Sequence, residues 1–261
     1  MSNNDQLTPT MIPITVPWLA EVFPDGFAPG KPIVITGPGG SGKPLIGHAF
    51  IASWIAAGGG IVFLSLQYPD PTFILESYRR VIGDDLDTYR DRVAFIALDP
   101  TIERIGTPTA NRFAANVVIP DTMTEAIARG RELVSPALST GGPRVLVFAS
   151  ALNLLMFSPT WRERITERAI AIMKDPTLTC VFSVSEKPHE ELIHRITDAA
   201  DTVIYSERSS SEFTLVMRVL RSGARFASDA VTIPIPEEEL RATREIAEGS
   251  RKKIIPAISA M

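Results

Sequence analysis

Short, almost unbroken apolar runs alternate along this chain with longer segments whose apolar positions recur every three or four residues. The runs are IVIT (33–36), IVFLSL (61–66), VAFIAL (93–98), VLVFAS (145–150) and LTCVFSVS (178–185). A strand that is apolar at nearly every position is buried on both faces. Between the runs lie predicted helices. One covers about 44–57. PTFILESYRRVI (71–82) carries Phe73, Ile74, Tyr78, Val81 and Ile82 at helical spacing. MTEAIARGRELVSPAL (123–138) turns Ile127, Leu133 and Val134 inward, and WRERITERAIAIM (161–173) is charged along one face. This alternation predicts an α/β fold, with a mostly parallel central sheet flanked by helices on both faces. After Asp201 the rhythm changes. TVIYSE, EFTLVMRVLR and VTIPI follow one another without helices, which predicts antiparallel strands added at the C-terminal edge. The segment 99–120, rich in Thr, Pro and Ala, is the longest predicted loop. The pattern divides the chain into a flexible N-terminus (1–12), a single α/β domain (13–235) and a C-terminal helical tail (236–261). The charges of the tail, EEELRATREIAEGSRKK, predict a solvated helix.

Composition narrows this picture. From 44 to 69 there is no Asp, Glu, Lys or Arg, yet the triple glycine 58–60 splits the run into a helix and a strand. Neither half is long enough to span a membrane. With 261 residues, 45% hydrophobic and 21% charged, the chain can bury a substantial core of its own. Its net charge of −4 counts against a nucleic-acid protein that relies on overall positive charge. One cysteine, Cys180, allows no intrachain disulfide, and with three histidines a Cys/His zinc site is excluded. The start, MSNNDQLTPT, lacks a basic segment followed by an apolar run, so no signal peptide is expected and the predicted location is cytoplasmic.

The strongest chemistry lies at Gly37, Pro38, Gly39, Gly40, Ser41, Gly42, Lys43 and Pro44. The phosphate-loop pattern G-x-x-x-x-G-K-[ST] is obeyed at every position but the last, and a predicted strand leads in while a predicted helix leads out. Glycines let the backbone bend so that its N–H groups face a phosphate. The helix N-terminus adds partial positive charge, and Lys43 reaches the outer phosphates. Pro44 departs from the pattern. It has neither the hydroxyl that binds Mg²⁺ nor a backbone N–H, although proline is sterically at ease in a first helical turn.

With this loop in place, the chain resembles a single KaiC-type domain of the RecA superfamily of P-loop ATPases, over about 13–235. VPWLAEVFPDGFAPGKPIVITGPGGSGKP resembles the family's opening through the Walker A loop, and IVFLSLQYP the strand ending in its catalytic glutamates. VLVFASALNLL resembles the Walker B strand, CVFSVSE the strand ending in Ser-Glu, and AADTVIYSE and VLRSGARF the closing strands. The resemblance implies a RecA-like P-loop NTPase fold, ATP or ADP as ligand, and a homo-oligomer with nucleotide between subunits. It also exposes losses. Gln67 and Tyr68 stand where the catalytic glutamates belong. Gln67 can position water but cannot take its proton as a carboxylate does. Ala149, followed by Ser150, stands at the Walker B aspartate and cannot hold Mg²⁺. Where a Lys-x-Arg pair reaches a neighbour's nucleotide, the chain has Val219 and Arg221, with Arg218 one register away.

Other groupings have plainer readings. Asp84, Asp85 and Asp87 read as a helix-capping loop. His189 and His194 are five apart, one more than the metal-binding H-E-x-x-H needs. Ser150, Ser183 and Ser185 lie at strand ends with no histidine evidently paired to them. Arg162, Arg164 and Arg168 predict ion pairs with Glu163 and Glu167 along their own helix, and Trp54 and Trp161 predict core or interface packing. The leading functional reading is a regulatory or scaffolding KaiC-like protein, a pseudo-ATPase acting in signal transduction. It would bind ATP or ADP with little or no hydrolysis; no residue is assigned as catalytic or as a metal ligand, and the losses count against Mg²⁺. Its partners would be nucleotide and either its own copies or another protein, with neither nucleic acid nor membrane. Two alternatives stay open. One is a working Mg²⁺-dependent ATPase whose site is completed across an interface or by Asp70 or Glu186. The other is a DNA-binding recombinase relative.

Overall fold

Apolar strands and helices alternate through the first two hundred residues of the computed structural model, which describes residues 10–68, 70–209 and 214–261. In chain order the elements are α1 (Pro17–Val22), β1 (Ile33–Thr36), α2 (Lys43–Ala56), β2 (Gly60–Ser65) and α3 (Pro71–Ile82). Then come β3 (Val93–Leu98), β4 (Arg112–Ala115), α4 (Pro120–Val134), β5 (Val145–Ala149), α5 (Arg162–Met173) and β6 (Leu178–Ser183). The chain closes with α6 (Glu190–Ala199), β7 (Thr202–Arg208), β8 (Leu215–Arg221), β9 (Val231–Ile233) and α7 (Glu237–Ser259). Among the described residues the strands form one sheet in the order β4-β3-β2-β5-β6-β1-β7-β8-β9. Pairing is parallel from β4 through β7 and antiparallel from β7 to β9; the antiparallel edge is as predicted, although β7, read with the added strands, itself pairs in parallel with β1.

Side chains of each strand alternate between two cores. Ile33, Ile35, Ile61 and Phe63 face the core built with α1, α2 and α3. Val34, Val62 and Leu64 face the core built with α4, α5 and α6. The uncharged run 44–69 is explained by α2, which is buried on nearly every side because it packs on the sheet and against α3. Trp54 belongs to this core, and its indole N–H donates to Gly60 O at 3.1 Å. No helix among the described residues is long and apolar enough to cross a membrane.

Several expectations are corrected. The predicted loop 99–120 contains β4, a parallel edge strand on β3. The predicted helix 123–138 begins earlier, with Pro120 in its first turn, and ends in a 3-10 turn at Ser135–Ala137. α1 and α6 carry no sequence prediction. Two of the three arginines of α5, Arg164 and Arg168, pair between helices rather than along their own. Arg168 and Arg164 reach Asp121 of α4 at 2.8 and 3.9 Å, and Glu163 pairs with Arg195 of α6 at 2.7 Å. The flexible stretch expected over 1–12 falls, for 1–9, outside the described residues, while Ile12 pairs with Phe27. Residues 210–213, which include the first two of the predicted strand EFTLVMRVLR, also lie outside them.

The largest correction concerns the tail. α7 is not solvated all round. Leu240 and Ala247 join the α2-side core and Ile258 joins the α4-side core. The helix therefore crosses the end of the sheet and joins both faces. Glu239, its side chain 2% exposed, lies 3.0 Å from Arg80 Nε of α3 and fastens the crossing.

Candidate functional site

The loop 37–44 leaves the carboxyl end of β1, in the crevice where open parallel sheets bind ligands. Two of its glycines are required by geometry. Gly37 has φ +131°, and a Cβ there would meet Ser206 O of β7 at 2.1 Å. Gly42 caps α2 at φ +62°, with Leu215 and Leu240 side chains against it. The loop is also stitched by hydroxyls. Ser41 Oγ donates to Pro38 O at 2.9 Å, and Ser206 Oγ donates to Ser41 O at 2.6 Å.

Lys43 opens α2 and is 5% exposed. Its Nζ donates to Gly37 O at 3.0 Å, Pro38 O at 2.5 Å and Ser41 Oγ at 3.2 Å. The loop thus wraps its own lysine. Burial pulls the ammonium down to about 7; the Arg251 guanidinium adds to the fall and Glu186 opposes it.

Three strand ends complete the wall. After β2, Ser65 Oγ donates to Tyr68 O, and Gln67 Nε2 donates to Tyr68 Oη at 3.0 Å. Both Gln67 and Tyr68 are buried, and burial raises the Tyr68 phenol well above its ordinary value. After β5, Ala151 is left-handed at φ +55°, and its N–H donates to Ser183 Oγ at 2.9 Å. After β6, the Ser185 N–H donates to Asn153 Oδ1 at 3.0 Å. Ser183, Ser185, Gln67 and residues 39–44 line a cavity of about 300 Å³. Tyr68, Ala151 and Arg208 line it too, and α7 supplies a further wall through Leu240, Thr243, Arg244, Ala247, Glu248 and Arg251. Sequence reasoning missed this helix wall. Leu240, Thr243 and Ala247, at helical spacing within the charged tail, were the signal for it.

The residues beside Pro44 do not suit Mg²⁺. Pro44 offers no hydroxyl, and Ala149, at the end of β5, is fully buried with no carboxylate to give. The space between Pro44 and Ser150 shrinks to about 10 Å³, about one water, against Leu45, His48, Phe73 and Phe148. Among the described residues no three of His, Cys, Asp and Glu converge as a metal cluster. His48 in this wall has its pKa pulled down to about 4 by burial, so it is neutral at pH 7. Of the substitute carboxylates, Asp70 caps α3 by accepting from Thr72 N at 2.9 Å and is exposed; that hydrogen bond lowers its pKa. Glu186 is half-buried after β6 and acts on Lys43 only through its field.

Arg221 lies at the opposite end of the sheet. It pairs with Val203 near the start of β7 and donates to Thr197 O at 2.6 Å and Ala200 O at 2.9 Å. Within the chain it therefore caps α6 and lies far from its own loop. Val219 is buried, and Arg218 stacks over Tyr205 at 5.0 Å. The acidic trio behaves as a capping loop: Asp85 Oδ1 accepts from Asp87 N at 3.1 Å, and Asp85 pairs with Arg79 at 2.5 Å.

A β1–glycine loop–α2 unit at the carboxyl edge of a parallel sheet, with β6 and β5 beside it, defines a P-loop ATPase domain of the RecA-like class. Comparison with known proteins places it further. The model of the KaiC ATPase family matches residues 12–222, and the chain belongs to that family. The fold also matches the crystal structure of a KaiC-like protein from the hyperthermophilic archaeon Pyrococcus horikoshii OT3. That match has a TM-score of 0.60 and 16% identity, and it covers 88% of this chain and 96% of the other. No curated protein matches the sequence significantly.

Proposed function

We propose that this KaiC-family domain binds ATP or ADP through Gly39–Lys43 and hydrolyses it little or not at all, serving as a nucleotide-responsive regulator or scaffold. One observation carries the reading. The glycine–lysine cradle is whole, while the adjoining positions that would hold Mg²⁺ and take a proton are Pro44, Ala149 and Gln67. Phosphoryl transfer depends almost wholly on positioning and charge stabilisation. The backbone N–H groups of the loop and Lys43 would hold the phosphates. Gln67, engaged with the Tyr68 phenol, has no carboxylate to activate water. Assembly with further copies, or with a protein partner, is the means by which such a domain would act, and a single buried cysteine suits a cytoplasmic setting.

The test is calorimetric titration with ATP, with and without Mg²⁺, alongside a phosphate-release assay. Binding without metal dependence and without turnover, lost in Lys43→Ala, is expected. A metal-dependent turnover of several per minute, abolished by Lys43→Ala, overturns the reading.

A further inference from the structure

α7 lies beyond the residues that match the family, yet it supplies one wall of the cavity. The placement of Arg251 on that wall is unusual. A Cβ built on Gly39 would lie 3.6 Å from Arg251 Nη1, so the guanidinium lies across the phosphate loop. Its Nε is buried without a hydrogen-bond partner. Among the described residues no ion pair involves Arg251, whereas Arg244, about two turns earlier, is paired to Glu248 at 2.7 Å. Arg251 is half-buried, its unmatched Nε donor is costly, and its charge acts on the buried cation Lys43, with Glu248 as a nearby anion already paired to Arg244. Like charges so placed repel unless an anion lies between them. The helix that carries Arg251 cannot easily swing away, because Glu239 holds one end to Arg80 and Ile258 anchors the other in the core.

We propose that Arg251 completes the phosphate site from within the same chain, neutralising a nucleoside polyphosphate with a guanidinium where the residues present cannot hold a metal. This rests on the nucleotide-binding reading above. The planar fork of arginine suits phosphate oxygens in two-point contact. Such a site binds the metal-free polyphosphate, and Mg²⁺ on the ligand competes with Arg251 for the same oxygens.

The experiment is calorimetric titration of the full chain with ATP and with inorganic tripolyphosphate, each in EDTA and in Mg²⁺. Wild type, Arg251→Gln, Arg251→Lys and Lys43→Ala are compared after their folds are matched by circular dichroism. In EDTA, wild type is expected to bind ATP at least as tightly as in Mg²⁺. Arg251→Gln should weaken both ligands about 10- to 100-fold, and Arg251→Lys should lose less. Binding of wild type that requires Mg²⁺ overturns the proposal. So does ATP affinity that depends on Lys43 and is untouched by Arg251→Gln; the nucleotide reading then survives alone. A loss for ATP with tripolyphosphate unchanged also overturns it, placing Arg251 on the base or ribose. No binding by wild type in either condition overturns both readings together.

Discussion

The loop after β1 and the ends of β2 and β5 border one cavity, yet they hold their shapes for different reasons. The loop is held by backbone geometry. Gly37 and Gly42 sit at positive φ, and hydroxyls of Ser41 and Ser206 tie their neighbours in place. The strand ends are held by burial and side-chain hydrogen bonds: Ala149 lies in the core, and Gln67 leans on Tyr68. Nothing in that second region needs a carboxylate to fold. A carboxylate there would be a buried charge, stabilised only by a metal or a partner. The fold therefore tolerates its loss, whereas it does not tolerate a side chain at Gly37.

The most damaging break in this contrast is Gly37→Val. The Cβ overlaps Ser206 O, so β1 and β7 must separate, and stability should fall by on the order of 4 kcal/mol in urea unfolding. Next is Ala149→Asp, which inserts an unpaired carboxyl into the core. Its expected cost is about 3 kcal/mol without metal. Combined with Pro44→Thr, it should gain a Mg²⁺-dependent rise in melting temperature in the presence of ATP, and failure to do so would show that more than these two ligands is missing.

Acid sharpens the contrast from the side of α2. The pKa of His48 is about 4 in the folded protein and near 6.5 when unfolded. Between these values the unfolded chain binds a proton that the folded chain refuses, so stability falls as pH drops from 6.5 to 4. The full span is roughly 3 kcal/mol, and His48→Gln should flatten that limb of a urea-midpoint profile.

The smallest effect is on affinity. Lys43 sits near 7 in the free loop, and a bound phosphate raises it. Binding then takes up a proton, and ATP affinity should fall about tenfold per pH unit from 7 upward until the bound-state value is reached. Calorimetry in buffers of differing ionisation heat measures that proton directly.

Much of the sheet was legible because its strands are apolar throughout and end at turn residues. β4 was not, since RFAA is too short and opens on an arginine. α6 is legible in principle from Leu192, Ile193 and Ile196 at helical spacing, but its apolar stripe is short and set among charged residues. The glycine loop declares itself because backbone strain has a residue signature. The α7 wall has none: the acids and bases of the tail look like a solvent face, and the few small and apolar residues between them make the contact. The partnership of Gly39 with Arg251 spans most of the chain, a distance over which no local spacing operates.

That span also sets an order of events during synthesis. Domains fold from the N-terminus as the chain emerges. β1, the glycine loop and β5–β7 can assemble while α7 is still unmade, so the sheet precedes its own cationic wall. The site becomes whole only when Glu237–Ser259 have crossed the carboxyl edge. A chain cut short or nicked before Arg251 would keep its sheet and its glycine loop but lose the cation that closes them. In this fold, occupancy of the pocket reports that synthesis has passed Arg251.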